Sequence, residues 1–400
     1  MTLAASAGAD LYRWIESDQM LQTLCGEWAS HGALALDTEF VRTNTFYPNV
    51  GLFQLATAQD LFLIDPLAIG QWAEFSGLLA DPARTVVLHS CSEDLNLLQH
   101  FLKVLPSRLF DTQRAAAFLG HGYSISYQAL VAAELDLPLD KGETRSDWLK
   151  RPLTPEQKHY AALDVAHLLP LRERLESRLK ARGMLEWFED DCREILLAVK
   201  DDSDEQQWAR YYRQIPGAWR LNRVQLAALQ RLCYWRERKA REWNRPRSWI
   251  LKDSDLLSLA GAVRQQPVSR RMLQDASDLT ERFFERHGEA ILSCINTDKA
   301  FSDVPDPGRF SKPLDGVWRR KLKNCQRLVT RKAEEIDVAP ELLARKRQLL
   351  ELIDGFCLNH DDPWPGDLDN WRRPLLEPGL MEILEAGDDS RGDSSDDDDD

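Results

Sequence analysis

The run Leu34-Ala35-Leu36-Asp37-Thr38-Glu39-Phe40 sets two carboxylates two positions apart in a stretch whose alternation and apolar content predict a buried β-strand. Side chains at i and i+2 of a strand share one face, so Asp37 and Glu39 point the same way. Like charges held close in a partly dry place repel, and a fold tolerates the arrangement chiefly when a cation sits between them. The pair points to a metal site and to a central strand that holds it.

One acid pair makes an incomplete site, and two further segments supply candidates. The β-rich run from Thr85 passes into the apolar spacing of Leu95, Leu97, Leu98 and Phe101. Ser90 and Glu93 have capping-box spacing, which predicts Asp94 in the first turn of a helix at the end of a strand. Further on, Leu153-Thr154-Pro155-Glu156-Gln157 reads as a helix start. A helix from there puts Tyr160 and Asp164 one turn apart on one face.

Asp37-x-Glu39, Asp94 in a strand-to-helix turn, and Tyr160-x-x-x-Asp164 together resemble the three motifs of the DEDD superfamily of 3′→5′ exonucleases, in the subclass with Tyr in the last motif. The runs 36–43 (LDTEFVRT), 47–55 (YPNVGLFQL), 63–66 (LIDP), 89–95 (HSCSEDL) and 146–153 (SDWLKRPL) resemble the ribonuclease D family within it, over about residues 12–185. Periodicity alone predicts an α/β fold. Strand runs at 33–40, 50–56 and 61–64 follow a helix around 19–30 in close succession, before a helix near 71–79 and a further strand at 85–88. That order predicts a mixed sheet, and the resemblance implies that the sheet is ribonuclease-H-like.

The resemblance also implies roles. Asp37, Glu39, Asp94 and Asp164 would hold two divalent metal ions, Mg²⁺ or Mn²⁺, with Asp37 bridging them. All-oxygen ligation suits such hard cations. Tyr160 would orient the attacking water, since a phenol with a reference pKa of about 10 is a poor base at neutral pH. Thr38, Phe40 and Gln54 are candidate contacts to the terminal nucleotide, and Lys141 and Arg145 candidate phosphate contacts in the segment 140–148. Each also has a plainer reading, as a core phenylalanine, a buried strand glutamine or the cations of a solvated loop. His89 and His167 are expected to be structural or substrate-side groups.

Beyond residue 201 the β signals fade. The stretch 223–243 is helical by spacing, with Leu226, Leu229, Leu232 and Trp235 on one face. Arg231, Arg236, Arg238, Lys239, Arg241, Arg245 and Arg247 interleave with Trp235, Trp243 and Trp249. This order, continuing to an apolar helix near 290–295, resembles the HRDC domain, a helical module associated with nucleic-acid binding. A Pro- and Asp-rich linker at 302–308 then leads to a second helical block rich in Lys and Arg. The expected organisation is an exonuclease domain at 11–200, an HRDC domain at 205–300, a second, divergent HRDC-like domain at 310–386, and a disordered acidic tail at 387–400.

A formal charge of −14 looks wrong for a nucleic-acid protein, but from Gly387 onward eight aspartates face the single Arg391, a net −7. Global charge is therefore a poor guide to local surface. Seven scattered cysteines with no C-x-x-C pair argue against a disulfide scaffold or zinc site and fit a reducing, cytoplasmic setting. No signal peptide or membrane span is expected. The expected activity is a metal-dependent 3′→5′ exoribonuclease that trims RNA 3′ ends, tRNA precursors among them, and releases nucleoside 5′-monophosphates, with no obligate protein partner. A DNA-directed 3′→5′ exonuclease and a catalytically silent RNA-binding protein are the alternatives.

Overall fold

The structure is a computed structural model that describes residues 11–139, 146–264, 267–297, 301–310, 312–358 and 360–386. Lys141, Arg145 and the acidic tail lie outside the described residues.

The apolar runs of the first half pair into one sheet of six strands, β1 (Arg13–Ile15), β2 (Ala33–Val41), β3 (Asn49–Ala56), β4 (Leu61–Ile64), β5 (Thr85–Leu88) and β6 (Leu109–Asp111), in the spatial order β1-β4-β3-β2-β5-β6. Short connections make β2, β3 and β4 antiparallel. Longer connections containing helices bring β5 and β6 back parallel to their neighbours, and β1 lies parallel to β4. The mixed sheet is thus the one the sequence predicts. β2 and β3 are central, and Leu34, Leu36, Leu52, Phe53 and Leu55 are fully buried.

The pairing of β2 with β3 skips Gly51, since Glu39 faces Leu52 while Phe40 faces Val50. Such an extra residue re-aims the side chains around it. A side chain at Gly51 has no room, because a Cβ there would stand 2.7 Å from the Trp148 carbonyl oxygen. Arg151 secures the same contact: its Nη2 donates to the Gly51 carbonyl at 2.7 Å, and its Nε and Nη2 grip Asp65 at 2.8 and 2.6 Å. The runs LIDP and SDWLKRPL are therefore two halves of one structural lock.

Eight helices, α1 (Asp18–Trp28), α2 (Ala73–Ala80), α3 (Ser92–Phe101), α4 (Thr112–Phe118), α5 (Tyr127–Leu135), α6 (Pro155–Ala166), α7 (Leu168–Ala181) and α8 (Leu185–Ser203), accompany the sheet. α6 starts as predicted, with Pro155 in its first turn and a capping box between Thr154 and Gln157. It packs on β2, β3 and β4, while α3 packs on β3 and α8.

The second half is helical: α9 (Glu205–Trp208), α10 (Arg223–Glu242), α11 (Arg247–Ile250), α12 (Asp253–Gly261), α13 (Arg270–Asp275) and α14 (Glu281–Asn296). Leu226, Leu229, Leu232 and Trp235 of α10 are buried, as their spacing predicts. Several of the basic residues of this stretch are turned inward. Arg236 donates to Asp253 at 2.6 Å, Arg231 to the Ile295 carbonyl at 3.0 Å, and Arg241 to Glu237 and Asp202 at 2.6 and 3.0 Å. A buried carboxylate such as Glu237 must be paired, and this requirement recruits Arg241.

The chain divides into two compact units at Pro307/Gly308. The second holds α15 (Gly316–Glu335), α16 (Pro340–Leu343), α17 (Lys346–Cys357) and α18 (Arg373–Glu385). In α15, Leu322, Cys325, Leu328, Val329 and Ala333 are buried. Arg319, Lys323, Arg327 and Arg331 recur every four residues on the exposed side. All seven cysteines are free, and among the described residues no helix is long and apolar enough to cross a membrane.

Candidate active site

β2 delivers Asp37 and Glu39 to one face, each half-buried. Thr38 between them is buried, and its hydroxyl donates to Asp94 Oδ1 at 2.5 Å. This candidate substrate contact thus has its hydroxyl committed to a neighbouring acid. Directly across from Asp37 in the register stands Gln54, fully buried, with neither amide atom hydrogen-bonded. Full burial keeps it from a ligand arriving from solvent in this arrangement. Phe40, just past the skipped residue, is half-buried.

Asp94 lies in the first turn of α3, as predicted, but the capping box expected from Ser90 and Glu93 does not form. The helix begins at Ser92, and Ser90 is in the left-handed region at φ 59°, one residue too early to cap it. Asp111 sets this turn instead. Its carboxylate accepts the N–H groups of Ser90 (3.2 Å) and Cys91 (3.0 Å) while also capping α4 through Gln113 and Arg114. The strand-to-helix corner is therefore shaped by an acid about twenty residues downstream, which local spacing does not reveal.

α6 brings Tyr160 and Asp164 together as i and i+4 neighbours, with the phenol close enough to favour the ionised Asp164 carboxylate. Behind them the Tyr127 hydroxyl donates to the Leu163 carbonyl at 3.1 Å and accepts the His167 N–H at 3.0 Å, fixing the joint to α7. His89 contacts Thr112 and the Ile125 carbonyl through its two ring nitrogens, the structural alternative of its two readings.

Burial is the largest cause raising the proton affinity of all four acids. Asp37 lies well above the usual carboxylate range, with Asp94, Asp164 and Glu39 reinforcing the effect. Glu39 is pushed up to about 8, with Asp164 and Asp94 adding to burial. Asp94 and Asp164 reach about 7, held down in part by Thr38 and Tyr160 respectively. The Tyr160 phenol is raised by burial and by Asp164, Glu39 and Asp37, so it stays protonated at neutral pH.

The acids feel one another, yet among the described residues no three acid, imidazole or thiol side chains close around a single ion position. The donor set nonetheless fits hard divalent cations: four oxygen acids from three elements, with an unpaired amide beside one of them. The residues that local reading missed are Asp111, Tyr127 and Arg151. Of these only Arg151 left a signal, inside the run 146–153.

Residues 12–180 match the 3′-5′ exonuclease family and residues 225–295 the HRDC domain. The chain is 38% identical to ribonuclease D of Pseudomonas paraeruginosa, over 94% of this chain and 98% of that one. It is 36% identical to ribonuclease D of Escherichia coli, over 94% and 98% of the two chains. The crystal structure of E. coli RNase D, an exoribonuclease involved in structured RNA processing, superposes with a TM-score of 0.79 at 34% identity, covering 93% of this chain and 98% of that one.

Proposed function

The chain belongs to the ribonuclease D family of divalent-metal-dependent 3′→5′ exoribonucleases, and we propose that its work is trimming the 3′ ends of structured RNAs, tRNA precursors among them, at the cluster of Asp37, Glu39, Asp94 and Asp164. The observation that carries this reading is that cluster: four acids from β2, α3 and α6 whose proton affinity is raised by burial, with Asp94 and Asp164 raising Asp37 and Glu39 further.

These four carboxylates would hold two Mg²⁺ or Mn²⁺ ions. Such a pair, when bound, activates the attacking water and neutralises charge on the departing 3′ oxygen. Thr38 orients Asp94 from the side, so its contribution reaches the substrate through that acid. Tyr160, protonated and one helical turn from Asp164, holds a water from the same helical face and lines it up with the scissile phosphate. Phe40 offers a flat face to the terminal base. Gln54, buried beside Asp37, serves as a hydrogen-bonding partner for that carboxylate once charge is bound.

We assign the chemistry to residues 11–200 and the holding of structured RNA to the helical modules at 205–300 and 310–386. The reading is tested by incubating the protein with 3′-extended tRNA precursor, a short unstructured RNA and matched single-stranded DNA, each with Mg²⁺, Mn²⁺ or chelator. Expected are stepwise shortening from the 3′ end, release of nucleoside 5′-monophosphates, a preference for RNA and silence in chelator. Faster degradation of the DNA would move the chain to a DNA-directed role, and metal-independent cleavage would remove the carboxylate cluster from the chemistry.

A further inference from the structure

Between the strand that carries Asp37 and Glu39 and its partner β3 runs a loop at residues 42–48, and the helical module grips it. Phe46 of this loop is buried, with the guanidinium carbons of Arg241 and Arg247 at 4.7 and 4.9 Å from its ring centre. Both arginines are ion-paired with Glu237, which is only 1% exposed, so one buried carboxylate orients two guanidinium groups toward one ring. The backbone is tied as well: the Tyr47 N–H donates to Asn244 Oδ1 at 2.9 Å, and Arg245 donates to the Asn44 carbonyl at 3.2 Å.

The grip extends to the second ligand-bearing element. The Tyr47 ring stacks on His100 of α3, with centres 3.5 Å apart and planes 8° from parallel. Arg42 of the same loop pairs with Glu93, the neighbour of Asp94, at 3.0 Å. One loop thus links the end of β2 to both ends of α3, and its anchor is on the helical module. A flat aromatic packed beside two guanidinium groups is a directional contact, which an aliphatic side chain of similar bulk does not reproduce.

We propose that Phe46 is a positioning residue through which the helical module sets the spacing of Asp37 and Glu39 relative to Asp94. The module then contributes to hydrolysis of RNA too short to need it for binding. This rests on the carboxylate cluster being the metal site.

Full-length Phe46→Leu, Phe46→Ala and Phe46→Tyr are compared with the wild type by thermal melting, by Mn²⁺ titration calorimetry, and by single-turnover cleavage of a short unstructured RNA at saturating concentration. Phe46→Leu keeps the buried apolar volume and is expected to stay folded. It should bind Mn²⁺ several-fold more weakly and turn over about 10- to 100-fold more slowly, since small misplacements of a catalytic constellation have effects of that size. KM for the short RNA should change little. Phe46→Tyr should restore both quantities, and Phe46→Ala should show the larger loss. Wild-type Mn²⁺ affinity and turnover in folded Phe46→Leu would overturn the proposal. So would slowed turnover with unchanged Mn²⁺ affinity, which would place the ring on the substrate path instead. A wild type that binds Mn²⁺ but cleaves no RNA would sink the exoribonuclease reading and leave the Mn²⁺ comparison decisive for Phe46.

Discussion

At the scale of single residues, Gln54 carries the clearest tension between stability and chemistry. A buried amide with neither atom hydrogen-bonded destabilises a fold by about 1–3 kcal/mol, and such groups persist where the site uses them. Gln54→Leu is therefore expected to raise the melting temperature while lowering turnover and Mg²⁺ affinity; a variant as active as the wild type would make Gln54 a plain core residue. Thr38→Val removes one hydroxyl from Asp94 with almost no change in shape. Partners that orient a ligand typically contribute 10- to 100-fold in metal affinity or activity, about what this change should remove. Calorimetry with Mn²⁺ checks it, and an unchanged affinity would return Thr38 to the substrate contacts. The four acids make a pH prediction. Each binds its proton more tightly folded than unfolded, so their contribution to the stability of the metal-free protein is fully present below about pH 4. It is lost as pH rises through about 7 for Asp94 and Asp164 and about 8 for Glu39. In chelator the melting temperature should fall over that window, less so in Asp94→Asn, and saturating Mg²⁺ should abolish the fall; a flat profile in chelator would count against the cluster. The acids and Tyr160 were legible because i, i+2 on a strand and i, i+4 on a helix are local geometry. The Thr38–Asp94 bond spans 56 residues and the Arg151–Asp65 pair 86, and no local pattern encodes either.

Elements were legible in proportion to their length and to the one-sidedness of their burial. β2 to β5 and the helices α1, α6 and α10 lie close to where alternation and capping signals put them, whereas β1 and β6 have three residues each and no period to read. The charge pattern of α10 reads differently in the fold: sequence shows the arginines and Glu237 alike, but not that Glu237 is buried and holds Arg241 against it. α15 shows the opposite case. Lys323 and Arg327 are exposed and make no ion pair among the described residues. A cation free of partners can release counterions from RNA, and one already neutralised inside the fold cannot. Lys323→Gln and Arg327→Gln should each weaken structured-RNA binding and reduce the slope of log affinity against log salt by about 1. Arg236→Gln should instead lower the melting temperature and leave the slope alone. The contrast is read from filter binding at several salt concentrations beside melting curves; equal slopes for all three variants would deny α15 a place on the RNA.

For the whole molecule the question is whether net charge or its placement governs the meeting with RNA. Residues 308–386 carry fourteen Lys and Arg against fourteen Asp and Glu, so this segment is neutral overall. The tail from 387 carries −7. Removing 387–400 and removing 308–400 therefore leave proteins of the same net charge, −7 in place of −14. Yet the first deletion takes away only charge that repels phosphate, while the second also takes away the exposed cations of α15. Fields at the surface follow local placement more than totals. Loss of the tail should raise affinity for structured RNA, most at low salt where screening is weakest. Loss of 308–400, a cut at the boundary between the two compact units, should lower affinity and flatten its salt dependence. Turnover of a short unstructured RNA should survive both cuts, because the four acids, Tyr160 and the Phe46 anchor all precede residue 308. Binding isotherms at several salt concentrations and single-turnover rates, with circular dichroism on each protein, measure all three. If the two truncations bind alike, net charge alone sets RNA affinity and the row on α15 is only a solvated face.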